Sequence, residues 1–404
     1  MHSSMTHPNV NLGGSQAMAA DESRKLSRRA ALKLMGKVAG AAAGAAVLSR
    51  ASKASAHRRS NELDTRMTRE LGLRVPLASA GMAFVALPDL ASAVSNAGAL
   101  GVYGVGIEPP FVVEARLQQL AAQTRKPFGV DLIVGTSPMG PITTQDHIDV
   151  VAAAGVPVVV FHFDVPTRDW VDQLHAAGSK VWVQTGDVRV AQRAVALGVD
   201  GIVAQGRSAG GHNKNATVPT WRLVFEMRLV LPARIIILAS GGIANGESLV
   251  RAIRAGADGG WAGTVFVAAQ ESYAHEGYKA RLCALHAPGD TQFTTVFGPE
   301  WPGQPQRVLC NVGTRSPSAL LPAQIGTTLL FPGIGNVPYD MPKHSAIVPT
   351  RDTQGDLDEM DMPAGALSIA AVRRVRPAAD IVNDFIQDAH DACDRDARFS
   401  LDDD

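Results

Sequence analysis

The chain repeats one unit: a short β-branched run, then a segment with apolar residues at helical spacing. Eight such runs begin at Val75, Gly101, Pro127, Val156, Lys180, Gly201, Arg234 and Gly259, at intervals of about 21–33 residues. That interval holds one strand and one helix. Most runs are apolar throughout rather than alternating, as parallel strands covered on both faces are. Leu87–Ala97, Val112–Thr124, Asp187–Leu197 and Gly246–Ala255 read as intervening helices, with Gly98, Gly178, Gly198 and Gly256 as their stops. Eight units predict an α/β fold, a (β/α)8 TIM barrel. An open doubly wound sheet is the competitor, but no unit carries a glycine fingerprint followed by an acid ~20 residues later.

Composition narrows the function classes. Hydrophobic residues make up 46% of the 404, enough for a large core. The 38 Lys+Arg balance 38 Asp+Glu, so there is no basic footprint for nucleic acid. Cys283, Cys310 and Cys393 lack both zinc spacing and an even count, which argues against a metal site and a disulfide framework. No apolar run reaches the ~18–20 residues of a membrane span.

Residues 1–56 read as an address. The order is Ser27-Arg28-Arg29-Ala30-Ala31-Leu32-Lys33, then a weakly apolar stretch from Val38 to Leu48, then Ala54-Ser55-Ala56. This three-part order resembles a twin-arginine signal peptide. It predicts the twin-arginine export machinery as a partner and a periplasmic destination. That route carries folded proteins, which suits one loaded with a cofactor. An alanine-rich amphipathic helix that stays attached is the alternative.

A barrel builds its site at the C-terminal ends of its strands, and the unusual polar residues fall there. They are Asp131, His162, Gln184, Gln205, the Ser240-Gly241-Gly242 turn and Gly263-Thr264. The glycines after the seventh and eighth runs are where barrels commonly hold a phosphate on free backbone N–H groups; tight turns alone also explain them. The loop from Gly206 to Gly211 presents His212, whose imidazole suits proton abstraction near neutral pH. A loop-capping histidine is the plainer reading. His162 is either a substrate contact or a satisfied core histidine, and Tyr103 and Phe163 read as packing at the mouth.

Several segments together resemble the nitronate monooxygenase family. They are Ala204-Gln205-Gly206 with Ala209-Gly210-Gly211-His212, Ala239–Ile243, and Gly256–Gly259 leading to Gly263-Thr264, Phe266 and Glu271-Ser272. Gly129–Leu132, Ala93–Gly101, Phe297–Leu309 and Met341–Met360 extend the likeness, which runs from about Arg69 to Asp388. The resemblance implies FMN in the barrel mouth. Gly81, Met82 and Ala83 would line the ring, Gln205 would hydrogen-bond it, and Gly210 and Gly211 would pack beside it. Gly241, Gly242, Ala262, Gly263 and Thr264 would hold the phosphate, and His212 matches the catalytic histidine. Asp131 stands where the family has Asn, and Trp261 and Ala262 where Gln-Met is usual. Ala366 replaces a customary Gln, with Ser368 as a nearby substitute contact to substrate.

The resemblance implies oxidation of alkyl nitronates, or of nitroalkanes, by O2 to a carbonyl compound and nitrite. Because nitronates are anions, it also implies positive character at the site. An NAD(P)H-dependent FMN reductase of the enoyl-ACP reductase type and a non-catalytic exported flavin binder are the alternatives. The layout expected is a barrel over 57–271, a smaller lid or second domain over 272–353 and a C-terminal helical segment over 354–404. Within that segment, Gly365–Cys393 is expected to be helical.

Overall fold

The computed structural model describes residues 63–214, 216–316 and 321–399. The twin-arginine reading of residues 1–56 lies outside the described residues. Eight parallel strands form the sheet: β1 (Leu77–Ser79), β2 (Gly101–Gly104), β3 (Phe128–Ile133), β4 (Val158–His162), β5 (Lys180–Thr185), β6 (Gly201–Gln205), β7 (Ile236–Ser240) and β8 (Gly259–Ala262). Their spatial order is β1-β8-β7-β6-β5-β4-β3-β2. A parallel bridge from Ala78 to Leu100 joins the two ends, with Ser79 N–H donating to the Leu100 carbonyl at 2.9 Å. The sheet therefore closes on itself, and the doubly wound alternative is excluded.

Seven helices follow the first seven strands: α1 (Pro88–Asn96), α2 (Pro110–Gln123), α3 (Gln145–Ala153), α4 (Arg168–Ala176), α5 (Val188–Ala196), α6 (Thr220–Val230) and α7 (Gly246–Arg254). Short polar side chains set the starts of α4, α5 and α7. Thr167 accepts from Trp170 N–H, Asp187 from Arg189 and Val190 N–H, and Asn245 from Ser248 N–H. Gly98, Gly178, Gly198 and Gly256 turn the chain beyond α1, α4, α5 and α7, as the sequence predicts.

Strand alternation sorts the barrel interior. Ala78, Val102, Val160, Trp182, Val203, Leu238 and Trp261 pack together inside, while Leu77, Phe161, Val183, Ile202, Ala239 and Ala262 face the helices. The helix Arg66–Leu71 closes the far end, its Met67 and Leu71 joining the inner cluster. Gly201 has no side chain because the Trp182 indole covers it: a Cβ there would stand 2.7 Å from Trp182 Cδ1.

The chain beyond β8 does not separate from the barrel; the described residues form one unit. A hairpin of β9 (Thr291–Thr294) and β10 (Gln306–Leu309) pairs with the two-residue strand Gly211–His212. β11 (Gln324–Leu330), β12 (Val337–Pro342) and Gln354–Gly355 form a second small sheet. The last helix, α8 (Ala378–Phe399), packs against α7 and α1 and so takes the place of an eighth barrel helix. The sequence reading starts helical structure at Gly365, but residues 365–377 hold only a short 3-10 turn at Ile369–Ala371. Pro377 cannot donate within a helix, so α8 begins immediately after it.

Candidate active site

Five inward positions near strand ends carry polar side chains that line one cavity, Gln184 and Ser240 in step with Trp182 and Leu238 among them. Asp131, His162 and Gln205 occupy the same alternation as Gly129, Val160 and Val203 one step below them. Above the apolar floor of Trp182 and Trp261 lies a cavity of about 220 Å³. Gly81, Met82, Ala83, Asp131, His162, Gln205, Gly210, Gly211, His212, Gly241, Trp261, Gly263, Thr264 and Ser368 all line it. Two expected contacts do not. Ala262 faces the helix layer, because Trp261 before it points inward. Gly242 turns toward Leu367, which a Cβ there would approach to 3.2 Å.

One end of the cavity is backbone. Gly241 and Gly242 take φ of 105° and 84°, conformations that side-chain-bearing residues rarely hold. Among the described residues, nothing accepts from the amide N–H of Gly241, Gly242 or Gly263. Thr264 Oγ1 accepts from Gly365 N–H at 2.9 Å. Ser368 belongs to this end: a Cβ on Gly365 would lie 3.2 Å from Ser368 Oγ and 3.3 Å from Thr264 Oγ1.

Asp131 lines the same cavity. The chain at Gly81 presses directly on it, so that a Cβ there would sit 2.2 Å from the Asp131 Cβ. Its Oδ1 is buried without a partner. Burial pushes its pKa well above the ordinary carboxylate value.

His212 lines the cavity as well. Its backbone is held twice, by pairing with Gln306 in β10 and by Gln205 Nε2, which donates to its carbonyl at 2.9 Å. Its ring meets the Trp301 indole edge-on at 4.7 Å between centroids, and Trp301 in turn packs on Phe163 at 4.2 Å. Nδ1 is buried without a partner. Burial, with His162 nearby, lowers the His212 pKa to about 3 despite the Pro305 carbonyl. His162 Nδ1 lies 2.6 Å from Gln184 Nε2, and burial lowers its pKa to about 4. Both rings are neutral near pH 7, as a base must be to accept a proton. Phe163 packs on Trp301 and His212 but does not line this cavity. Nor does Tyr103: it points into the helix layer, and its hydroxyl donates to Glu108 at 2.5 Å.

The roof comes from beyond the barrel. Tyr278, Glu300, Trp301, Gln306 and Asp361 reach the cavity from the hairpin and its flanks. Asp361 and Pro363 lie past residue 353, so the roof crosses the expected lid boundary. The lining contains no Lys or Arg, contrary to the positive character expected. Arg193 and Lys214 line a smaller cavity on the other side of His162 and Gln184, where Lys214 pairs with Asp164 at 3.1 Å.

Known proteins resemble the chain in sequence and in fold. The chain is 30% identical over 247 residues to a probable nitronate monooxygenase of Staphylococcus aureus strain Newman, covering 52% of this chain and 70% of that one. It is 30% identical over 270 residues to a nitronate monooxygenase of Paraburkholderia phytofirmans, covering 56% and 72%. Among solved structures, FabK from Thermotoga maritima superposes with a TM-score of 0.66 at 26% identity, covering 83% of this chain and 99% of that one. A nitroalkane oxidase from Streptomyces ansochromogenes superposes with a TM-score of 0.65 at 25% identity, with the same coverage. The sequence profile of nitronate monooxygenase matches residues 64–388, a span holding all eight strands, the diglycine turn and His212. The chain therefore belongs to the nitronate monooxygenase family of flavin oxidoreductases.

Proposed function

We propose that this chain binds FMN in the barrel mouth and oxidises nitroalkanes or their nitronates with O2, releasing a carbonyl compound and nitrite. One observation carries the reading: a single cavity joins unpaired amides at Gly241 and Gly263 to a neutral, half-buried imidazole at His212. The residues present fit the cofactor. The amides of Gly241 and Gly263, with Thr264 and Ser368 nearby, suit a phosphate. The Gly81–Ala83 backbone suits a flat ring, and Asp131 Oδ1 lacks the partner that a ring N–H or carbonyl would supply. When bound, FMN supplies the electron acceptance that the protein lacks.

The protein's own part is proton handling and position. His212 takes the proton from the carbon bearing the nitro group, leaving the nitronate beside an imidazolium. Gln205 and Gln306 fix that ring by holding its backbone. Trp301 and Phe163 wall the ring from water. The test is nitrite release in air by purified protein and by His212→Ala. The variant should keep its flavin absorbance and lose at least 100-fold in turnover of a neutral nitroalkane, within the usual range for a general base. Unchanged turnover overturns the role of His212.

The likeness to FabK favours a second reading, an NAD(P)H-dependent flavin reductase. Anaerobic mixing with NADPH, and separately with a nitronate, separates the two, because only the true donor bleaches the flavin. The order of residues 1–56 supports export through the twin-arginine machinery to the periplasm. A fusion of those residues to a reporter that reports only after export tests this, with Arg28→Lys and Arg29→Lys together expected to abolish it.

A further inference from the structure

The roof of the cavity holds a carboxyl that the proposed chemistry leaves unused. Asp361 is 1% exposed. Gln306 Nε2 donates to its Oδ2 at 2.8 Å, while Oδ1 is buried without a partner in the wall of the cavity. Gln306 is also the residue paired with His212 across the strand ladder. One short connection thus fixes the carboxyl relative to the imidazole.

We propose that Asp361 is a specificity-determining residue, donating a hydrogen bond from Oδ1 to an oxygen of the substrate's nitro group while His212 faces the carbon. The inference rests on the nitro-compound reading above.

Two lid carboxyls reach the cavity, and their surroundings divide their roles. Glu300 accepts from Tyr339 Oη at 2.7 Å, Ser345 Oγ at 2.6 Å and Ala346 N–H at 2.8 Å. Asp361 accepts from one amide and has no cation beside it. Burial, and to a smaller extent the nearby Glu300 charge, favours its protonated form against the Gln306 hydrogen bond, which favours the charged one. A neutral carboxyl in this position is a donor, and a nitro oxygen is an acceptor. Loss of the α-proton moves negative charge onto the nitro oxygens, so the same bond strengthens as His212 acts. This also accounts for a site with no Lys or Arg in its lining.

The test separates binding from turnover. The compound 2-methyl-2-nitropropane carries a nitro group but no α-proton, so its binding is independent of the base. Its dissociation constant is read from the perturbation of flavin absorbance in wild type, Asp361→Asn and Asp361→Leu. Asn keeps an N–H donor toward the cavity and an oxygen toward Gln306, so it should bind within ~3-fold of wild type; Leu should bind ~10-fold more weakly, the loss of one hydrogen bond. Wild-type binding should also weaken at alkaline pH while Asp361→Asn stays flat. The titratable groups facing Asp361 are Glu300 and Tyr278, with His212 beyond Gln306, and all are retained in the variant. Equal binding by wild type and Leu, or a pH-independent wild type, overturns the role of Asp361. If Leu does not fold, the pH comparison decides. A wild-type protein that neither binds the probe nor releases nitrite fails the nitro-compound reading itself.

Discussion

Gln205 reaches past its own strand end to donate from Nε2 to the backbone carbonyl of His212, seven residues later. The loop between them is thereby pinned to the barrel wall, and the catalytic candidate inherits the rigidity of β6. Gln205→Leu leaves that carbonyl without its donor in the cavity wall. Unfolding free energy should drop by about 1–3 kcal/mol, the cost of an unpaired buried acceptor, read from urea midpoints. Nitrite release should fall as well, because the ring loses its fixed height.

The two histidines give a stability signature. Their folded pKa values are lowered to about 3 for His212 and about 4 for His162, while the unfolded chain takes up protons near ~6.5. Stability from these groups is complete above ~6.5 and is lost as pH falls toward 4 and 3, since the unfolded state binds more protons in that window. Imidazole NMR signals of both residues should stay unshifted from pH 8 to pH 5. A titration near pH 6.5 at either ring contradicts the buried placement.

Legibility in the sequence followed local periodicity. Period-two alternation places Asp131, His162 and Gln205 inside the barrel, and glycines mark helix ends within a residue or two, so strands, helices and most of the site could be read directly. The same rule applied to β8 excludes Ala262, since Trp261 and its successor cannot both face inward. Gln306 and Asp361 were missed because their approach to His212 depends on the register of a hairpin nearly a hundred residues away. No local pattern encodes that pairing. Pro377 was the available signal that the tail from Gly365 crosses the roof before its helix begins.

Asp131 makes the opposite pH prediction to the histidines. Its native pKa is raised by burial, so the folded state keeps a proton that the unfolded state releases near ~3.9. Stability therefore falls as pH climbs above that value, until the native carboxyl itself ionises. Asp131→Asn removes this loss. The variant should gain on wild type with rising pH between 4 and 8, and the two should converge toward pH 4. Parallel curves from urea melts at each pH would show that the buried carboxyl is already charged.

The close approach of α8 to α7 depends on a missing side chain. Gly246 opens α7, and a Cβ there would stand 2.1 Å from Ala389 N and 2.3 Å from the Phe385 carbonyl. Both atoms are helix backbone and cannot swing aside, so Gly246→Ala must push α8 away from α7. Overpacking of this kind costs about 1–3 kcal/mol. Ala389, Ala392 and Cys393 pack here with Val250 and Leu63, so displacement also opens that cluster. Denaturant midpoints should fall, and amide exchange should quicken in α8 before it does in the strands. Ser248→Ala, which breaks the reciprocal cap between Asn245 and Ser248 at the same helix start, should cost about 1 kcal/mol. It should leave α8 protected, because nothing in that change presses on Ala389.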